Sequence, residues 1–315
     1  MNNVNTIRER VNAYLAERRQ AGCNMRIIGS QLSSFARFAQ KRGHRGPLSC
    51  ALALAWAQAS KSPGQSAAAA RLAQLHPFTR FCHRLDPRNE IPPAAFFGPA
   101  FRRRIPHIYS AAEIRSLVTT AAQLRTGGGL RADSISTLFG LLAAAGLRVS
   151  EALALERRDV NFEKSLLHIR EAKFHKMRYV PLHSSSTRAL QHYAIRRDGL
   201  VSGPQCQKFF LTDEGRGLTL SMVRYAFIRI RKQLGWRSRG GHAAPRVHDL
   251  RFTFICRRLE RWYAQKIDVD RVILSLCTYV GHVNITSTYW YLTATPKLMR
   301  LAARRLRRVA EREGV

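Results

Sequence analysis

Apolar residues in the first 85 positions recur every three or four residues, which is the spacing of amphipathic α-helices. Gly22 and Gly43 follow the first two of these patterns and predict the ends of two helices. Ser49 is placed to cap a third helix. A fourth pattern covers Ser66–Arg84, and we expect Pro77 to kink or split it because proline lacks a backbone N–H.

The helical spacing returns after a stretch that is rich in proline. Ser110 and Glu113 form a capping-box pattern, and an apolar run then predicts a buried helix that ends at Gly146. Ser150 is placed to cap the next short helix, and Ser221 is placed to cap a longer one. Between those two helices lie residues that favour strands, and these are Val160, Phe162, Leu167, Ile169, Tyr179 and Val180.

These patterns predict a fold that is mainly α with a small antiparallel β-sheet, in the α+β class. A chain of 315 residues exceeds what one small core usually holds, so we expect two domains. Five prolines between residues 85 and 107 exclude a continuous helix there. We therefore predict a helical domain at residues 1–88, a linker at residues 89–107, and a second domain with a C-terminal tail at residues 108–315.

The charge of the chain narrows the choice of partners. Lys and Arg number 53 against 20 Asp and Glu, which gives a net charge of +33 at pH 7. This excess favours nucleic acid over an anionic membrane surface, because no amphipathic anchor stands apart from the globular pattern. The first residues lack the hydrophobic region of a signal peptide, and no apolar run reaches transmembrane length, so we expect a cytoplasmic protein with no membrane partner.

Cysteine spacing argues against a structural metal. The six cysteines are scattered and form no C-x-x-C pair, so neither a zinc site nor a disulfide framework is expected. Cys256 and Cys277 lie in apolar helical patterns and are interpreted as reduced core residues.

Three short motifs supply groups suited to phosphate chemistry. Arg148 lies near the start of a helix, where its charge adds to a terminus that attracts anions. His248 and Arg251 are three residues apart at another helix start and so share one face. His282 directly follows a glycine that predicts the end of a helix, and it precedes Tyr291 by nine residues. Each motif alone also fits ordinary solvated side chains, whereas the set fits attack of a tyrosine hydroxyl on a phosphodiester without a metal or other cofactor.

Taken in order, these motifs resemble the tyrosine recombinase (phage integrase) family over roughly residues 110–296. The helical first part is similar to that family's SAM-like core-binding domain, which the resemblance places at residues 1–88, with the catalytic tyrosine recombinase domain at residues 108–315. The resemblance implies a site-specific recombinase that cleaves and rejoins duplex DNA through a 3′-phosphotyrosyl intermediate. Its role would be integration, excision or resolution of a mobile element.

The resemblance also assigns a role to each catalytic position. It makes Arg148 and Arg251 the two arginines that clamp the phosphate. His248 becomes the histidine of the H-x-x-R motif, and His282 the residue that contacts the scissile phosphate. Tyr291 becomes the nucleophile. No ATP and no metal are implied, because the covalent link conserves the bond energy.

Two of the assignments have alternatives. Lys173 matches the lysine of a β-hairpin that acts as general acid, but Lys176 lies in the same turn and is the alternative acid or a phosphate contact. Tyr289 is the alternative nucleophile, and two positions along a helix put it nearly opposite Tyr291. The nine-residue offset from the histidine selects Tyr291. Glu151 matches an acidic position that organises the first arginine.

Double-stranded DNA is the expected partner, on which a monomer in solution would assemble as a dimer or tetramer. The resemblance leaves open a second recombinase or an accessory factor. The segment after Thr295, rich in Leu and Arg, is expected to dock on a neighbouring protomer. The candidate DNA-contact residues, each equally compatible with a solvated basic surface, are Arg102, Arg103, Arg104, Lys176, Arg224 and Arg231.

Two other functions stay open at this point. A type IB topoisomerase uses nearly the same chemistry and relaxes supercoiled DNA without a specific site. A relative that only binds DNA is the third candidate, although such a protein has no need of Lys173 or Tyr291 at these positions.

Overall fold

A computed structural model of the chain describes residues 6–60, 64–100, 104–124, 129–170, 177–201, 206–282, 284–293, 298–304 and 307. The chain divides into two compact units, Met1–Arg103 and Arg104–Val315. The described part is mostly helical with one small antiparallel sheet, which confirms the predicted fold class. None of the helices in these described ranges combines the length and the apolar character that crossing a bilayer requires.

The first unit is a set of four helices around an aromatic core. Phe35 packs edge-on against Trp56 with ring centroids 5.4 Å apart, and Phe78 is fully buried beside them. Burial of such rings supplies most of the stability that short helices lack on their own. The four helices are α1 (Ile7–Gln20), α2 (Arg26–Lys41), α3 (Cys50–Gln58) and α4 (Gln65–Leu85).

Local signals set most of these helix ends. Ser49 caps α3 through its side chain, and Gly22 and Gly43 adopt positive φ just past α1 and α2. The expected split at Pro77 is wrong, because Pro77 lies inside one continuous helix α4. Leu75 on one side of it is fully buried, and core packing here outweighs the lost backbone hydrogen bond.

The two ends of the predicted linker pack against different units. Asn89 is buried and accepts hydrogen bonds from the backbone N–H of Leu48 at 2.8 Å and from Arg10 at 2.7 Å. Tyr109, two residues beyond the other end, is 1% exposed and donates its hydroxyl to the carbonyl of Arg246. The boundary between the two units falls between these points. The linker limits at residues 89–107 and the exact domain limits stay predictions.

In the second unit, helix α6 is central and packs against several other helices, and the unit also contains the small sheet. Its elements are α5 (Ala111–Ala122), α6 (Leu130–Ala145), α7 (Val149–Ala154), a 3₁₀ turn (Arg157–Asp159), β1 (Val160–Asn161), β2 (Leu166–Ile169), β3 (Arg178–Pro181), α8 (Ser184–Leu200), α9 (Leu220–Gln233), α10 (Asp249–Ala264), α11 (Val269–Val280), α12 (Thr286–Tyr289) and a second 3₁₀ segment (Trp290–Thr293).

The sheet is an antiparallel meander in the order β1-β2-β3. Leu167 pairs with Val180 across β2 and β3, and both side chains are fully buried, so one face of the sheet joins the core. Ser165 takes a positive φ in the predicted turn between β1 and β2. Phe162 is expected in a strand but lies just beyond β1.

Caps in this unit are partly as predicted. Ser110 and Glu113 form the expected reciprocal capping box, and Gly146 ends α6 in the left-handed conformation. The prediction that Ser150 caps α7 is wrong, because Arg148 occupies the N-cap. The prediction that Ser221 caps α9 is also wrong, because the N-cap lies two residues earlier.

Thr219 is the residue that caps α9. Its hydroxyl accepts from the backbone N–H of Met222, and Ser221 lies inside the first turn with its hydroxyl bonded to Thr219. A threonine two positions earlier can satisfy the same free N–H groups, and sequence alone does not rank the two hydroxyls.

The last helices form a separate apolar cluster that holds the C-terminal motifs. It contains the buried residues Leu259 of α10 and Ile273 of α11, together with Tyr291 and Leu298. The six cysteines are free, and Cys256 and Cys277 are buried in this cluster, as the apolar pattern predicts. The motif residues are therefore carried by a packed scaffold and not by an independent loop.

Candidate active site

Two helix C-termini supply the acceptors that hold the motif arginines. α6 ends at Gly146 and α11 ends at Gly281, both in the left-handed conformation. Arg251 donates to the carbonyl of Gly146 at 2.8 Å and to that of Val280 at 2.7 Å. Arg148 donates to the carbonyl of Gly281 at 2.7 Å. The carbonyls left free at helix ends thus fix both guanidinium groups in place.

Glycine is required at both helix ends for steric reasons as well as for the positive φ. A Cβ at Gly146 would collide with the ring of Phe254. A Cβ at Gly281 would lie 2.7 Å from Nη1 of Arg178. The helix stops that the sequence predicts are therefore also the places where side chains of the site approach the backbone.

A buried carboxylate joins two arginines beneath the site. Glu151 is 3% exposed and accepts from Nη1 of Arg148 at 2.6 Å. It also accepts from Nη1 and Nη2 of Arg178 at 3.1 and 2.9 Å. Arg178 donates its Nε to the carbonyl of Tyr279, so β3 is tied to α11. This bidentate geometry is the strong form of an arginine–carboxylate pair.

Arg178 belongs to none of the three motifs, but the alternation of residues along β3 indicates that its side chain is buried. Arg178 and Val180 lie two apart on β3, so their side chains point to the same face of the sheet. Val180 is fully buried. An arginine on a buried face needs an acidic partner, so the alternation along this strand itself indicates a buried ion pair.

The ionisation of this pair is set by opposing effects. Burial raises the pKa of Glu151, but the hydrogen bonds and charge of Arg178, with those of Arg148, outweigh it and lower the pKa below its usual value. Burial lowers the pKa of Arg251 to about 10, and the neighbouring charge of Arg148 acts in the same direction. At neutral pH the carboxylate is ionised and Arg251 keeps its positive charge.

His248 lies at the N-cap position of α10, one turn before Arg251. Its ring meets Phe252 edge-on at 5.2 Å. The residue as a whole is exposed, but protein atoms surround much of its ring. Desolvation of the ring, followed by the charges of Arg251 and Arg246, lowers the pKa of His248. The imidazole is therefore neutral at pH 7 and able to accept a proton.

His282 lies just beyond α11 and stacks on Tyr291, with ring centroids 5.8 Å apart and planes inclined by 22°. Burial lowers the pKa of His282 to about 3, and the charges of Arg251 and Arg148 add to the effect. Its Nδ1 lies 2.7 Å from the hydroxyl oxygen of Thr288. A neutral His282 has a single ring N–H to offer.

The two candidate nucleophiles differ in their surroundings. Tyr291 is 4% exposed, packs against Phe252 at 4.9 Å and is close enough to Arg251 to feel its charge. Tyr289 is 39% exposed. Burial raises the pKa of Tyr291 despite the opposing charge of Arg251, so the phenol is protonated at neutral pH and needs a base to become a nucleophile.

The site therefore gathers five of the six predicted catalytic residues: Arg148, His248, Arg251, His282 and Tyr291. The sixth, Lys173, lies outside the described residues, as do Lys176, Arg102 and Arg103. Within the described part of the chain, no cluster of three or more His, Cys, Asp or Glu side chains is arranged to bind a metal ion.

A groove of about 650 Å³ leads from the site along helix α9. Arg148 and His248 of the site line this groove together with Arg224 and Arg231 of α9. Arg224 is exposed, whereas Arg231 is half-buried and donates to the carbonyl of Pro245 at 3.1 Å. These contacts make Arg224 the freer of the two to meet a phosphate.

Arg104 is exposed and lies outside this groove lining. Its Cβ approaches Gly241 closely, and its charge acts on His242 in the loop that precedes α10. The predicted contact residue thus belongs to the second unit, beside the segment that carries His248.

Comparison with known proteins gives a consistent picture. The phage integrase family profile matches residues 109–297. The chain is 35% identical over 309 residues to the putative integrase/recombinase y4rB of Sinorhizobium fredii (strain NBRC 101917 / NGR234), covering 97% of this chain and 98% of the relative. It is 30% identical over 230 residues to tyrosine recombinase XerC of Chlamydia trachomatis serovar L2 (strain ATCC VR-902B / DSM 19102 / 434/Bu), covering 72% of this chain and 67% of the relative.

A solved structure is similar in fold over nearly the whole chain. It is the Tn1549 transposon integrase (residues 82–397, Y379F) in complex with transposon right end DNA, with a TM-score of 0.66 and 18% sequence identity. The match covers 94% of this chain and 99% of that one. At this identity the likeness concerns the fold.

Proposed function

The chain belongs to the phage integrase family and is a tyrosine-type site-specific DNA recombinase, and we propose that it cleaves and rejoins duplex DNA through a 3′-phosphotyrosyl link at Tyr291. The observation that carries the proposal is the stacking of Tyr291 on His282, with Arg251 beside the phenol. Relatives named integrase and recombinase favour this function over a topoisomerase. We propose integration, excision or resolution of a mobile element, in the cytoplasm, as its setting.

Arg148 and Arg251 are the proposed clamp on the scissile phosphate. Both guanidinium groups are held by helix-end carbonyls, so their remaining N–H donors are oriented before DNA arrives. Pre-oriented charges stabilise the transition state without reorganising during the reaction. Loss of one such donor typically slows a reaction on the order of 100-fold to 1,000-fold.

The proposed first step is attack of the Tyr291 oxygen on phosphorus. The phenol loses its proton, for which neutral His248 is the proposed acceptor. A bond forms between the tyrosine oxygen and phosphorus, while the bond from phosphorus to the 5′ oxygen breaks. The departing oxygen takes a proton from Lys173, an assignment that rests on the sequence motif.

The second step reverses the chemistry on a different strand. The 5′ hydroxyl of a partner strand attacks the phosphotyrosine and gives its proton to Lys173. The bond between phosphorus and Tyr291 breaks, and the phenolate takes a proton back from His248. The bond energy is kept in the covalent link throughout, so ligation needs no external energy source. His282 is proposed to hold a non-bridging oxygen in both steps by donating a hydrogen bond.

Assembly on DNA follows from the same premise. We propose that duplex DNA lies along the groove beside α9 and that monomers join on it as a dimer or tetramer. We also propose that the basic segment after Thr295 reaches a neighbouring protomer. Leu298 at its start is fully buried in the cluster that contains Tyr291. A deletion that tests docking must therefore retain Leu298 and remove only the residues after Arg304.

A suicide DNA substrate carrying the natural site tests the nucleophile. The wild type should form a protein–DNA adduct that survives SDS, and Tyr291→Phe should form none while still binding the DNA. The matched control is Tyr289→Phe, which should form the adduct as the wild type does. Loss of the adduct in Tyr289→Phe alone would reject Tyr291 as the nucleophile.

A supercoiled plasmid without the site separates the recombinase from a topoisomerase. The proposal predicts no relaxation of this plasmid and recombination only between plasmids that carry the site. Efficient relaxation of the plasmid without a site would favour the topoisomerase function.

A further inference from the structure

The hydroxyl of Thr288 lies within hydrogen-bond distance of both His282 and Cys277. The residue is fully buried at the third position of α12. Its Oγ1 lies 2.7 Å from Nδ1 of His282 and 2.9 Å from Sγ of Cys277. Neither Thr288 nor Cys277 takes part in the proposed reaction steps, so these contacts call for a separate explanation.

The three groups form a chain in which the number of protons limits the arrangement. A threonine hydroxyl has one hydrogen, a thiol has one, and a neutral imidazole has one ring N–H. If Cys277 donates to Thr288, then Thr288 donates to Nδ1 of His282, and the ring proton is on Nε2. In the opposite arrangement Nδ1 donates to Thr288, Thr288 donates to sulfur, and Nε2 carries no proton.

The chemistry of the groups favours the first arrangement. Imidazole nitrogen is a better acceptor than sulfur, so the single hydroxyl proton is better placed on the 2.7 Å bond to His282. A phosphate offers only acceptor oxygens, and an unprotonated Nε2 would repel it. The surrounding charges of Arg251, Arg148 and Arg178 keep the ring neutral, so it cannot carry a proton on both nitrogens.

The backbone holds the same three residues together. The N–H of His282 donates to the carbonyl of Cys277 at 2.9 Å, which positions the backbone of His282 relative to the end of α11. The N–H of Thr288 donates to the carbonyl of Ile285 at 2.7 Å, inside the first turn of α12. These two backbone bonds anchor the main chain of His282 to the end of α11 and that of Thr288 to the start of α12.

We propose that Thr288, supported by the Cys277 thiol, is a positioning residue that holds His282 in the Nε2–H tautomer, so that Nε2 donates to the scissile phosphate. This inference rests on the proposed function, in which His282 contacts that phosphate. It adds the residue that decides which ring nitrogen carries the proton.

Removal of the hydroxyl tests the proposal by reaction rate. Thr288→Val keeps the shape of the side chain, and it should slow adduct formation about 10-fold to 100-fold with little change in DNA affinity, by analogy with the loss of a partner that orients a metal-binding histidine. Thr288→Ser keeps the hydroxyl and should restore most of the rate. The control is Thr278→Val, which removes an exposed hydroxyl that donates to the carbonyl of Leu274 in its own helix.

Two variants of Cys277 test whether its thiol supports Thr288 by donating a hydrogen bond. Cys277→Ser keeps a donor to Thr288 and should retain the rate, whereas Cys277→Ala removes the donor and should slow adduct formation less than Thr288→Val does. A Cys277→Ala variant slower than Thr288→Val would contradict the order of the proton chain, because the hydroxyl is the direct partner of the ring.

Nitrogen NMR reads the tautomer directly and does not depend on activity. In protein labelled with ¹⁵N-histidine, the His282 signals are those that disappear in His282→Gln. The proposal predicts a protonated Nε2 and an unprotonated Nδ1 in the wild type and in Thr288→Ser, and a mixture of tautomers in Thr288→Val. A protonated Nδ1 in the wild type would overturn the proposal.

The two readouts separate this inference from the proposed function. If the wild type forms no adduct, the proposed function fails, and the tautomer is still decided by NMR. If the wild type forms the adduct but Thr288→Val matches it in rate and in tautomer, the inference fails and the proposed function stands.

Discussion

Arg178 and Glu151 form a two-point ion pair in which Nη1 and Nη2 donate to the two carboxylate oxygens at 3.1 and 2.9 Å. The side chains are 8% and 2% exposed, so this pair is far better shielded than the surface ion pairs of the chain. The same carboxylate also holds Arg148. Glu151 therefore pairs with two adjacent guanidinium groups, one of them in the proposed phosphate clamp.

Glu151→Gln should lower both stability and cleavage. The substitution leaves Arg178 and Arg148 close together in a buried place with no negative partner, and breaking a buried pair in this way typically costs on the order of 3 kcal/mol. We expect a lower midpoint in urea unfolding and slower adduct formation. The control is Glu214→Gln, which alters an exposed carboxylate and should change neither measurement. An unchanged urea midpoint in Glu151→Gln would mean that the pair contributes no net stability.

Gly281→Ala should lower both the stability of the protein and the rate of adduct formation, whereas a matched glycine variant away from the site should lower stability alone. A left-handed residue with a Cβ costs roughly 1–2 kcal/mol, and here the Cβ would also press on the Arg178 guanidinium. Gly235→Ala is the matched control, since Gly235 has a similar positive φ and a Cβ placed there would have no neighbour within 4 Å. Both variants should lose stability, but only Gly281→Ala should lose adduct rate. Equal rates in the two variants would show that Arg178 tolerates the displacement.

The low pKa of His282 predicts a pH dependence of stability. Its folded pKa is about 3 and its unperturbed value is 6.5, so the unfolded chain binds the proton more readily than the folded one. The neutral ring's contribution to the free energy of unfolding is fully present above pH 6.5 and is lost as pH falls toward 3. Within that window the histidine contributes a slope of up to about 1.4 kcal/mol per pH unit.

Urea unfolding at several pH values between 5.0 and 6.5 measures this slope, above the range in which most carboxylates titrate. His282→Gln should make stability less dependent on pH in this range. His192→Gln, which changes an exposed histidine of α8, serves as the control and should keep the wild-type slope. A His282→Gln variant with the wild-type slope would show that the folded pKa of His282 is close to normal.

DNA affinity should depend steeply on salt. If six to ten phosphates are contacted, affinity should fall by roughly 10³ to 10⁵ between about 50 and 200 mM salt. Arg224→Ala removes an exposed charge from the groove and should reduce the slope of log affinity against log salt by about 1. Arg188→Ala on α8 removes an exposed charge that does not line the groove and should leave the slope unchanged. Identical slopes for the two variants would count against a DNA path along α9.

The sequence by itself determined the features that depend on a few neighbouring residues. The helical period, the capping box at Ser110 and the left-handed ends at Gly146 and Gly281 follow from local sterics and backbone hydrogen bonding, and the structure has them. The order of the motifs was enough to indicate the family. The expectation of a split helix failed at Pro77, because burial of the helix face on both sides of the proline outweighs its local penalty.

Only the tertiary structure decided which groups meet. Arg251 bonds a carbonyl 105 residues earlier, and Arg148 bonds one 133 residues later, so these contacts depend on how the helices pack. The same packing turns Arg178 toward Glu151 and brings the Thr288 hydroxyl to His282. A linear pattern shows which residues can ionise or donate, but their charge, tautomer and partner are set by burial and by distances of about 3 Å, which arise only when the chain has folded.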